Sequence, residues 1–354
     1  MKLSAQSLYE RYKKIYDSMY TFSLCREDEV EDLVSFIDQH WKKGHILVRS
    51  RRMLDWQYHD PDNHVYHFVL ARHRDSGEIH ALEGFIPTTQ FDHAIASPMT
   101  WGAIWKAVPG IAPPGLGFVA KRFRETAFAT KYACEVGVST DADKYNQQFG
   151  NTVFPLENWY YVNPFLKDYG LIETSLRTPP SHVQRHPEIV ATPLSPMDWD
   201  GCAEGAPIPE FKSKKYYTNR YFAHPVYSYH ALMLSEKEAG GKEILFYRIA
   251  EHDERKCIFI VDYIGDGSIL AKSGSVLMDL AMACHAEYLL FPNFGLDARY
   301  LRAAGFVNRK DTHDIVPLYY EPFVKKNVDI LCASRTPKID WCSFKGDADQ
   351  DRPN

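Results

Sequence analysis

The sequence lacks an excess of positive charge, close pairs of cysteine and long apolar runs. Its 41 lysine and arginine residues face 46 acidic residues, so the net charge of −5 gives no sign of a nucleic-acid or anionic-membrane surface. The seven cysteines stand alone, without the spacing of zinc sites or redox dithiols. No stretch resembles a membrane span, and the charged segment 1–20 lacks the apolar core of a signal peptide. We therefore expect a reduced, cytoplasmic protein.

What the sequence does contain is a pattern that is used twice. Two tyrosines and a histidine recur 163 residues further on, and two other landmarks follow in the same order. The matches are Tyr58 with Tyr221, Tyr66 with Tyr229, His67 with His230, 143–150 with 297–306, and 159–165 with 318–323. Landmarks in constant order at nearly constant spacing predict a duplicated domain.

Hydrophobic periodicity predicts a mixture of helices and strands in both halves. The first half has predicted helices at 8–20, 27–41, 118–131 and around Tyr145, and predicted strands at 66–72, 79–87, 100–108, 134–138 and 159–162. The second half has predicted strands at 189–194, 244–250, 257–264, 288–292, 316–320 and 329–333, and a helix at 275–286. The segment 163–188 loses this regularity and is rich in proline. We predict an α+β protein with domains at 1–165 and 189–336, a linker at 166–188 and a C-terminal tail at 337–354.

The strongest candidate site is the glycine-rich loop 109–117, which joins the third predicted strand to a helix. Gly115 and Gly117 would let an anion approach backbone N–H groups at the helix N-terminus, with Lys121, Arg122 and Arg124 close behind. A tight turn without a ligand is the alternative, because a lone G-x-G is a weak signal.

The second half differs at the corresponding place. Asp262 and Asp266 put carboxylates where a phosphate would need hydrogen-bond donors. We therefore predict that phosphate binds the first domain only.

The order of elements around the loop resembles the GNAT acyltransferase superfamily. Gly115-Leu116-Gly117 stands where the family's Q/R-x-x-G-x-G/A loop cradles the CoA pyrophosphate, although Ala112 replaces the usual Gln or Arg. The tandem arrangement and the segments 84–88, 101–108 and 346–354 are similar to two-domain GNAT proteins of surface-polysaccharide pathways, some of which acylate dTDP-linked amino-deoxysugars. The resemblance implies two tandem GNAT-like domains with mixed sheets, with acyl-CoA as donor and no metal. It also implies a nucleotide-linked amino sugar as acceptor, and neither nucleic acid nor membrane as partner.

The resemblance also assigns the residues that would hold the donor. They are Trp105, Ala107, Val108, Gly115, Leu116, Gly117, Phe118, Lys121 and Arg122. The strand end near Val108 would supply the backbone N–H for the thioester oxyanion. Tyr145 stands at the family's usual place for a proton donor to sulfur, and a core tyrosine on a helix face is the equal alternative.

Candidates for handling the acceptor amine follow the first hairpin. Asp92 is predicted to accept or orient the proton, and His93 is its neighbouring alternative, although turn formation is as common a use of Asp. Substrate contacts are predicted for Thr88, Asn293, Asp347, Asp349 and Arg352. Loop capping by Asn293 and a dispensable tail are the alternatives.

Two other chemistries lack support in the sequence. His59, His64 and His67 have neither the helical spacing of a zinc pair nor a fourth ligand, and no G-x-S-x-G hydrolase elbow occurs. Two rival functions stay open: acyl or aminoacyl transfer to an amino acid or peptide amine, and a non-catalytic GNAT-like binding protein.

Overall fold

The computed structural model describes residues 5–148, 150–175, 184–202, 204–237, 240–336 and 339–353. The chain divides into two compact units. Unit 1 comprises Met1–Phe154, Leu331–Ile339 and Asn354, and unit 2 comprises Pro155–Ile330 and Asp340–Pro353. This division differs from the boundaries drawn at 165 and 337, and residues 176–183 of the expected linker lie outside the described residues.

Both units alternate helices and strands. The first stretch of chain forms α1 (Ala5–Tyr16), β1 (Tyr20–Arg26), α2 (Val30–Phe36), α3 (Ile46–Arg49), α4 (Arg51–Tyr58), β2 (His59–Asp60), β3 (Val65–His73), β4 (Ile79–Pro87), β5 (Met99–Ala107), α5 (Leu116–Ala127), β6 (Tyr132–Val138), α6 (Thr140–Gln148) and β7 (Thr152–Val162). The remainder forms β8 (Ile189–Leu194), α7 (Trp199–Cys202), α8 (Lys214–Tyr217), β9 (His230–Glu236), β10 (Lys242–His252), β11 (Arg255–Ile264), α9 (Gly274–Ala283), β12 (Ala286–Phe294), α10 (Ala298–Ala303), β13 (Val307–Asn308), β14 (Ile330–Ser334) and β15 (Ser343–Phe344).

The sheets of the two units have the same strand order. Unit 1 has the order β1-β3-β4-β5-β6-β14, and unit 2 has the order β8-β9-β10-β11-β12-β7. Neighbouring strands are antiparallel except β5 with β6 and β11 with β12, which are parallel and joined through α5 and α9. The repeated tyrosines also match, since Tyr58 ends α4 before β3 and Tyr221 lies in a π-helical turn before β9. These correspondences agree with the predicted duplication.

Each sheet ends on a strand from a distant part of the chain. Cys332 of β14 pairs with Val136 of β6, and Trp159 of β7 pairs with Phe291 of β12. The sequence placed 159–162 in the first domain and 329–333 in the second, which differs from this arrangement. Periodicity identifies a strand, but it does not say which sheet edge the strand joins.

Most predicted elements occur close to their expected positions, with one clear exception. The predicted strand 316–320 is wrong, because the segment has no ladder, and the only bridges described there are single ones at Ile315, just before it, and at Tyr320, its last residue. Val316 and Leu318 are nevertheless buried, so their apolar character reflects packing of an irregular segment.

The helix α5 holds the predicted site loop against the core of unit 1. Leu116 and Val119 pack with Val69 and Phe85 of the sheet. The helix begins at Gly115, whose φ of +86° is left-handed and therefore favours glycine.

Candidate functional site

The predicted site loop joins β5 to α5 in unit 1. Gly115 caps the helix, and Gly117 lies in its first turn. Trp105 Nε1 donates a hydrogen bond to the carbonyl O of Gly117 at 2.8 Å, which fixes the strand end against the helix start. Between them the loop is partly exposed, with Ile111 at 54 %. The structure thus contains the strand, loop and helix N-terminus that an anion site requires.

The first helix covers one side of this loop. A Cβ at Gly115 would lie 2.9 Å from the ring of Tyr12, and the Tyr16 hydroxyl donates to Pro114 O at 2.5 Å. Leu116 and Phe118 are buried in the core of unit 1, so their side chains support the helix. A ligand can therefore reach Gly115 only from the side opposite Tyr12.

The basic side chains that follow the loop already have partners. Lys121 is buried and forms an ion pair with Glu135, and Arg122 Nη1 lies 2.6 Å from Glu125 Oε2. These contacts conflict with the prediction that Lys121 and Arg122 bind phosphate. The sequence showed the positive charges on the helix, but it did not show that Glu135 of β6 would form an ion pair with Lys121.

Sequence reasoning missed a buried acid in the same network. Arg124 donates to Glu83 Oε1 from Nε at 3.2 Å and from Nη2 at 2.9 Å, while Glu83 Oε2 has no hydrogen-bond partner among the described residues. Burial raises the pKa of Glu83 to about 7, although Arg124 favours its ionised form. Burial also opposes the charge of Glu135, but Lys121 and Arg124 outweigh it and lower the pKa. Neither carboxyl gave a sequence signal, because a lone Glu in a strand reads as a surface residue.

The backbone at the end of β5 differs from the prediction for the oxyanion. The amide of Val108 donates to His80 O at 2.9 Å, so it is not the expected donor. The strand instead has a β-bulge, since Glu83 pairs with Trp105 while Phe85 pairs with Gly102. The two bulge residues, 103 and 104, lie where backbone groups leave the regular ladder.

The bulge coincides with the point where β5 leaves its parallel partner. The pairing with β6 runs from Met99–Tyr132 to Gly102–Glu135. Beyond Gly102, no strand in the described part of unit 1 pairs with β5 on that side, and residues 105–107 are half-buried. We call the space between residues 103–107 of β5 and 136–138 of β6 the strand gap of unit 1.

Tyr145 lies beside this strand. It is carried by α6, its side chain is 53 % exposed, and its ring meets the Trp105 ring edge-on at 6.3 Å. The structure therefore brings Tyr145, Trp105 and Gly117 together, and it does not place Tyr145 in the core.

The residues predicted to handle the acceptor lie in a turn after β4. Asp92 is buried, its Oδ1 accepts from Ala94 N at 3.1 Å, and its carbonyl accepts from Ile95 N at 3.2 Å. His93 is exposed. Thr88 is fully buried, and its hydroxyl accepts from Met99 N at 3.1 Å. The contacts of Asp92 and Thr88 are those of turn-forming residues.

An open groove of about 430 Å³ lies at the other side of the β5 end, lined in part by His80, Val108 and Ile111. His80 Nδ1 is 2.9 Å from the Tyr20 hydroxyl, and His80 Nε2 is 3.5 Å from Glu78 Oε2. Both ring nitrogens of this histidine thus have polar neighbours at the groove. The sequence offered no signal for it, because His80 is one polar residue within a strand.

In unit 2, the loop after β11 holds a carboxylate in place of a ligand. Glu243 accepts hydrogen bonds from Gly267 N at 2.8 Å, from Leu270 N at 2.6 Å and from the Tyr263 hydroxyl. Burial raises the pKa of Glu243, and the hydroxyl of Tyr263 works in the opposite direction. The sequence predicted that donors would be missing here because of Asp262 and Asp266. The backbone N–H donors are present, but the Glu243 carboxylate accepts their hydrogen bonds.

The predicted substrate contacts of unit 2 are internal. Asn293 is buried, and its amide donates to Phe291 O at 2.9 Å. Asp347 and Asp349 are buried as well, and Arg352 Nη1 lies 2.7 Å from Asp349 Oδ2. These partners contradict the prediction of a tail whose charges reach out to a substrate.

Two further findings concern the described residues only. They contain no group of three or more His, Cys, Asp or Glu arranged to hold a metal ion. None of their helices combines the length and the apolar character needed to cross a bilayer.

Solved structures share this architecture at very low sequence identity. A GCN5-related N-acetyltransferase from Anabaena variabilis ATCC 29413 is 7% identical, with a TM-score of 0.51 over 88% of this chain and 72% of that chain. A conserved protein of unknown function from Enterococcus faecalis V583, named as a probable N-acyltransferase, is 10% identical, with a TM-score of 0.54 over 88% and 71%. No family model and no curated protein sequence matches the chain. The fold prediction is confirmed: the chain has an α+β fold with mixed sheets, similar to the GNAT-like fold of these structures.

Proposed function

We propose that the chain is an acyl-CoA-dependent N-acyltransferase whose donor site lies in unit 1. The observation that supports this most is the strand gap of unit 1, which leads from the bulge of β5 directly to the loop capped by Gly115. A long donor with a diphosphate could lie along the strand and end at the helix N-terminus. The fold neighbours named as N-acetyltransferase and N-acyltransferase point to the same chemistry.

The proposed acceptor is the amine of a nucleotide-linked amino-deoxysugar, used in the cytoplasm for surface-polysaccharide synthesis. Its support is the sequence resemblance of segments 84–88 and 101–108 to proteins of that kind. Asn293, Asp347 and Asp349 no longer support it, because they are buried among partners of their own unit, and Arg352 is paired with Asp349. The proposed acceptor is therefore supported by residues of unit 1 alone.

The transfer needs an oxyanion donor, a path for the amine proton and a proton for the departing thiolate. We assign the first role to the bulge at 103–104, because Val108 N is already engaged. Tyr145, half-exposed beside Trp105, is the proposed donor to the sulfur. Asp92, with His93 as alternative, is the proposed proton acceptor.

The donor site is tested by a charge placed at the loop. Gly115→Asp should abolish acyl-CoA binding in calorimetry, since a carboxylate would repel the diphosphate at the helix entry. Gly115→Ala is the matched control, because its Cβ would meet the ring of Tyr12 at the same 2.9 Å but would add no charge. Equal binding by both variants would place the donor elsewhere, provided that their melting temperatures agree.

The role of Asp92 is tested by Asp92→Asn. Asparagine retains the oxygen that accepts from Ala94 N, so the turn is preserved. If Asp92 accepts or orients the proton, turnover should fall by roughly a hundredfold with unchanged acyl-CoA affinity. Parental turnover would assign Asp92 to the turn alone and direct the test to His93.

A non-catalytic binding protein is the second candidate. Two observations favour it: the Val108 amide is bonded to His80, and Asp92 forms a turn. A protein that binds acyl-CoA without releasing CoA in the presence of any amine would have this function. Thermal shift distinguishes the sugar acceptor from an amino acid or peptide amine. A nucleotide-linked sugar should raise the melting temperature of the protein only if such a sugar is the acceptor.

A further inference from the structure

Unit 2 also has a strand gap, and the segment that begins at Ser343 lies in it. The strands β11 and β12 are paired from Lys256–Ala286 to Phe259–Leu290, and β11 has a bulge just beyond, between its pairings at 260 and 262. We call the space between 260–264 of β11 and 291–294 of β12 the strand gap of unit 2. The strand β15 pairs Phe344 with Asn293 on this side, and Gly346 N donates to Val261 O at 2.7 Å. The segment thus bonds to both diverging strands.

A buried carboxylate of the segment meets several donors of unit 2. Arg248 donates to Asp351 from Nε and Nη2 at 2.9 Å, and the Tyr229 hydroxyl donates to it at 2.7 Å. Lys345 of the same segment adds a contact at 2.9 Å. Burial alone would raise the pKa of Asp351, but Arg248 and Lys345 outweigh it and hold the pKa well below its usual value. Asp351 is therefore a bound anion at neutral pH.

Buried cations of unit 2 also contact a second carboxylate of the segment, Asp347, and the backbone carbonyl of Gly346. Lys212 Nζ lies 2.9 Å from Asp347 Oδ1 and 2.7 Å from Asp262 Oδ2. Arg220 donates from Nη2 to the carbonyl O of Gly346 at 2.7 Å. All of these groups are buried.

The rest of unit 2, residues 155–330, which we call its body, contributes an excess of positive charge around the segment. Lys212, Arg220 and Arg248 are three buried cations, and Asp262 is the carboxylate that faces Lys212 from β11. Two carboxylates of the segment, Asp347 and Asp351, meet Lys212 and Arg248, while Lys345 of the segment is a further buried cation beside Asp351. The surroundings therefore suit an extended, anionic chain that can also form strand-like hydrogen bonds.

We propose that the strand gap of unit 2 is a binding site for an extended acidic segment, and that the chain's own C-terminal segment, residues 343–351, is its resident ligand. Together with Glu243 in the neighbouring loop, this segment fills the strand gap of unit 2 and completes its loop, whereas no described strand of unit 1 pairs with β5 in the corresponding gap. Unit 2 consequently accepts no acyl-CoA. The assignment does not depend on the proposed function of unit 1.

The test separates the segment from the folded protein. A protease site is inserted between Ile339 and Asp340, the full chain is folded and cleaved, and size exclusion measures how much of fragment 340–354 stays with the body. We expect complete retention. Release of the fragment from a body that keeps its melting temperature would overturn the proposal.

Peptide competition then tests whether the binding is specific. The fragment is stripped in mild urea, the body is returned to buffer, and fluorescent peptides 340–354 are added. The parental peptide and the Asp340→Asn peptide, which changes an exposed residue, should bind alike, whereas Asp351→Asn should bind about a hundredfold more weakly. Equal binding by all three peptides, or none by a refolded body, would refute the site. If the body does not refold, retention of the cleaved Asp351→Asn fragment at the parental level refutes it instead.

Discussion

The parallel strand pairs of the two units diverge at equivalent bulges, yet what lies beyond them differs. In unit 1, Trp105 and Ala107 are half-buried, and the gap ends at the loop capped by Gly115. In unit 2, residues 260–264 are all buried, because β15 and the segment after it lie against them. The loop of unit 2 is likewise completed by Glu243. The two units thus share this strand geometry, whereas Glu243 and residues 343–351 occupy it in unit 2. Under the proposed function, this difference decides which unit takes the donor.

The largest effect is expected from the anion held in unit 2. Asp351→Asn should lower the free energy of unfolding by about 3–5 kcal/mol, because it leaves Arg248 and Lys345 buried without their counter-charge. Urea denaturation measures the change. Asp253→Asn, an exposed residue with a φ of +49° that asparagine tolerates, is the control and should change little. Equal effects for the two variants would show that the segment is not held by charge.

The second largest loss of unfolding free energy is expected from a change in the loop of unit 2. Glu243→Gln turns one acceptor into a donor that faces Gly267 N or Leu270 N, and we expect a loss of about 1–3 kcal/mol. Glu251→Gln lies on the same strand, is exposed, and should be close to neutral. Stability unchanged by Glu243→Gln would mean that the loop does not need its carboxylate, and the contrast between the two loops would fail.

In unit 1, the buried acid predicts a dependence on pH. The folded-state pKa of Glu83 is raised to about 7, above its usual value of 4.5, so its protonated form contributes stability below pH 4.5. This contribution should be lost as the pH rises from 4.5 to 7, by about 1–3 kcal/mol. Glu83→Gln should remove the decline when its unfolding free energy is compared with that of the parent at each pH. A constant difference between the two proteins across this range would contradict the raised pKa.

The smallest expected effect compares two matched tyrosines. Tyr145→Phe should leave the melting temperature almost unchanged, since the side chain is 53 % exposed, and should slow turnover about tenfold if its hydroxyl protonates the leaving sulfur. Tyr300→Phe changes the corresponding position of unit 2 and should leave turnover at the parental rate. A loss of turnover in both variants, or in neither, would remove the distinction between the units at this position.

Much of the fold was predictable from the sequence because its signals are local. The hairpin β3–β4 follows from alternation around Gly77, and the glycine loop follows from the change of period between β5 and α5. The pairing partners of β7 and β14 were not predictable. Residues far apart in the chain determine them, and the apolar pattern of a strand is the same at either sheet edge.

The candidate site was predictable only as far as its backbone. Gly115 predicts a turn at the start of the helix, and in the structure this residue has the left-handed conformation. The charges were misjudged in both units, since Lys121 is neutralised by Glu135 and the tail carboxylates by Lys212 and Arg248. A single sequence shows how many charges are present, but it does not show which of them meet, because that depends on contacts made after folding.

The origin of β14 also bears on the order in which the chain can fold during synthesis. The first 154 residues include every strand of the unit 1 sheet except its sixth, which is supplied by residues 331–334. While the ribosome adds the 176 residues between them, the edge of β6 lacks its antiparallel neighbour and remains a template for other strands. Unit 1 is therefore completed only after residues 331–334 have been made, and unit 2 only after residues 340–353 have followed, so neither unit can finish folding early, in contrast to the usual order in which N-terminal domains fold first.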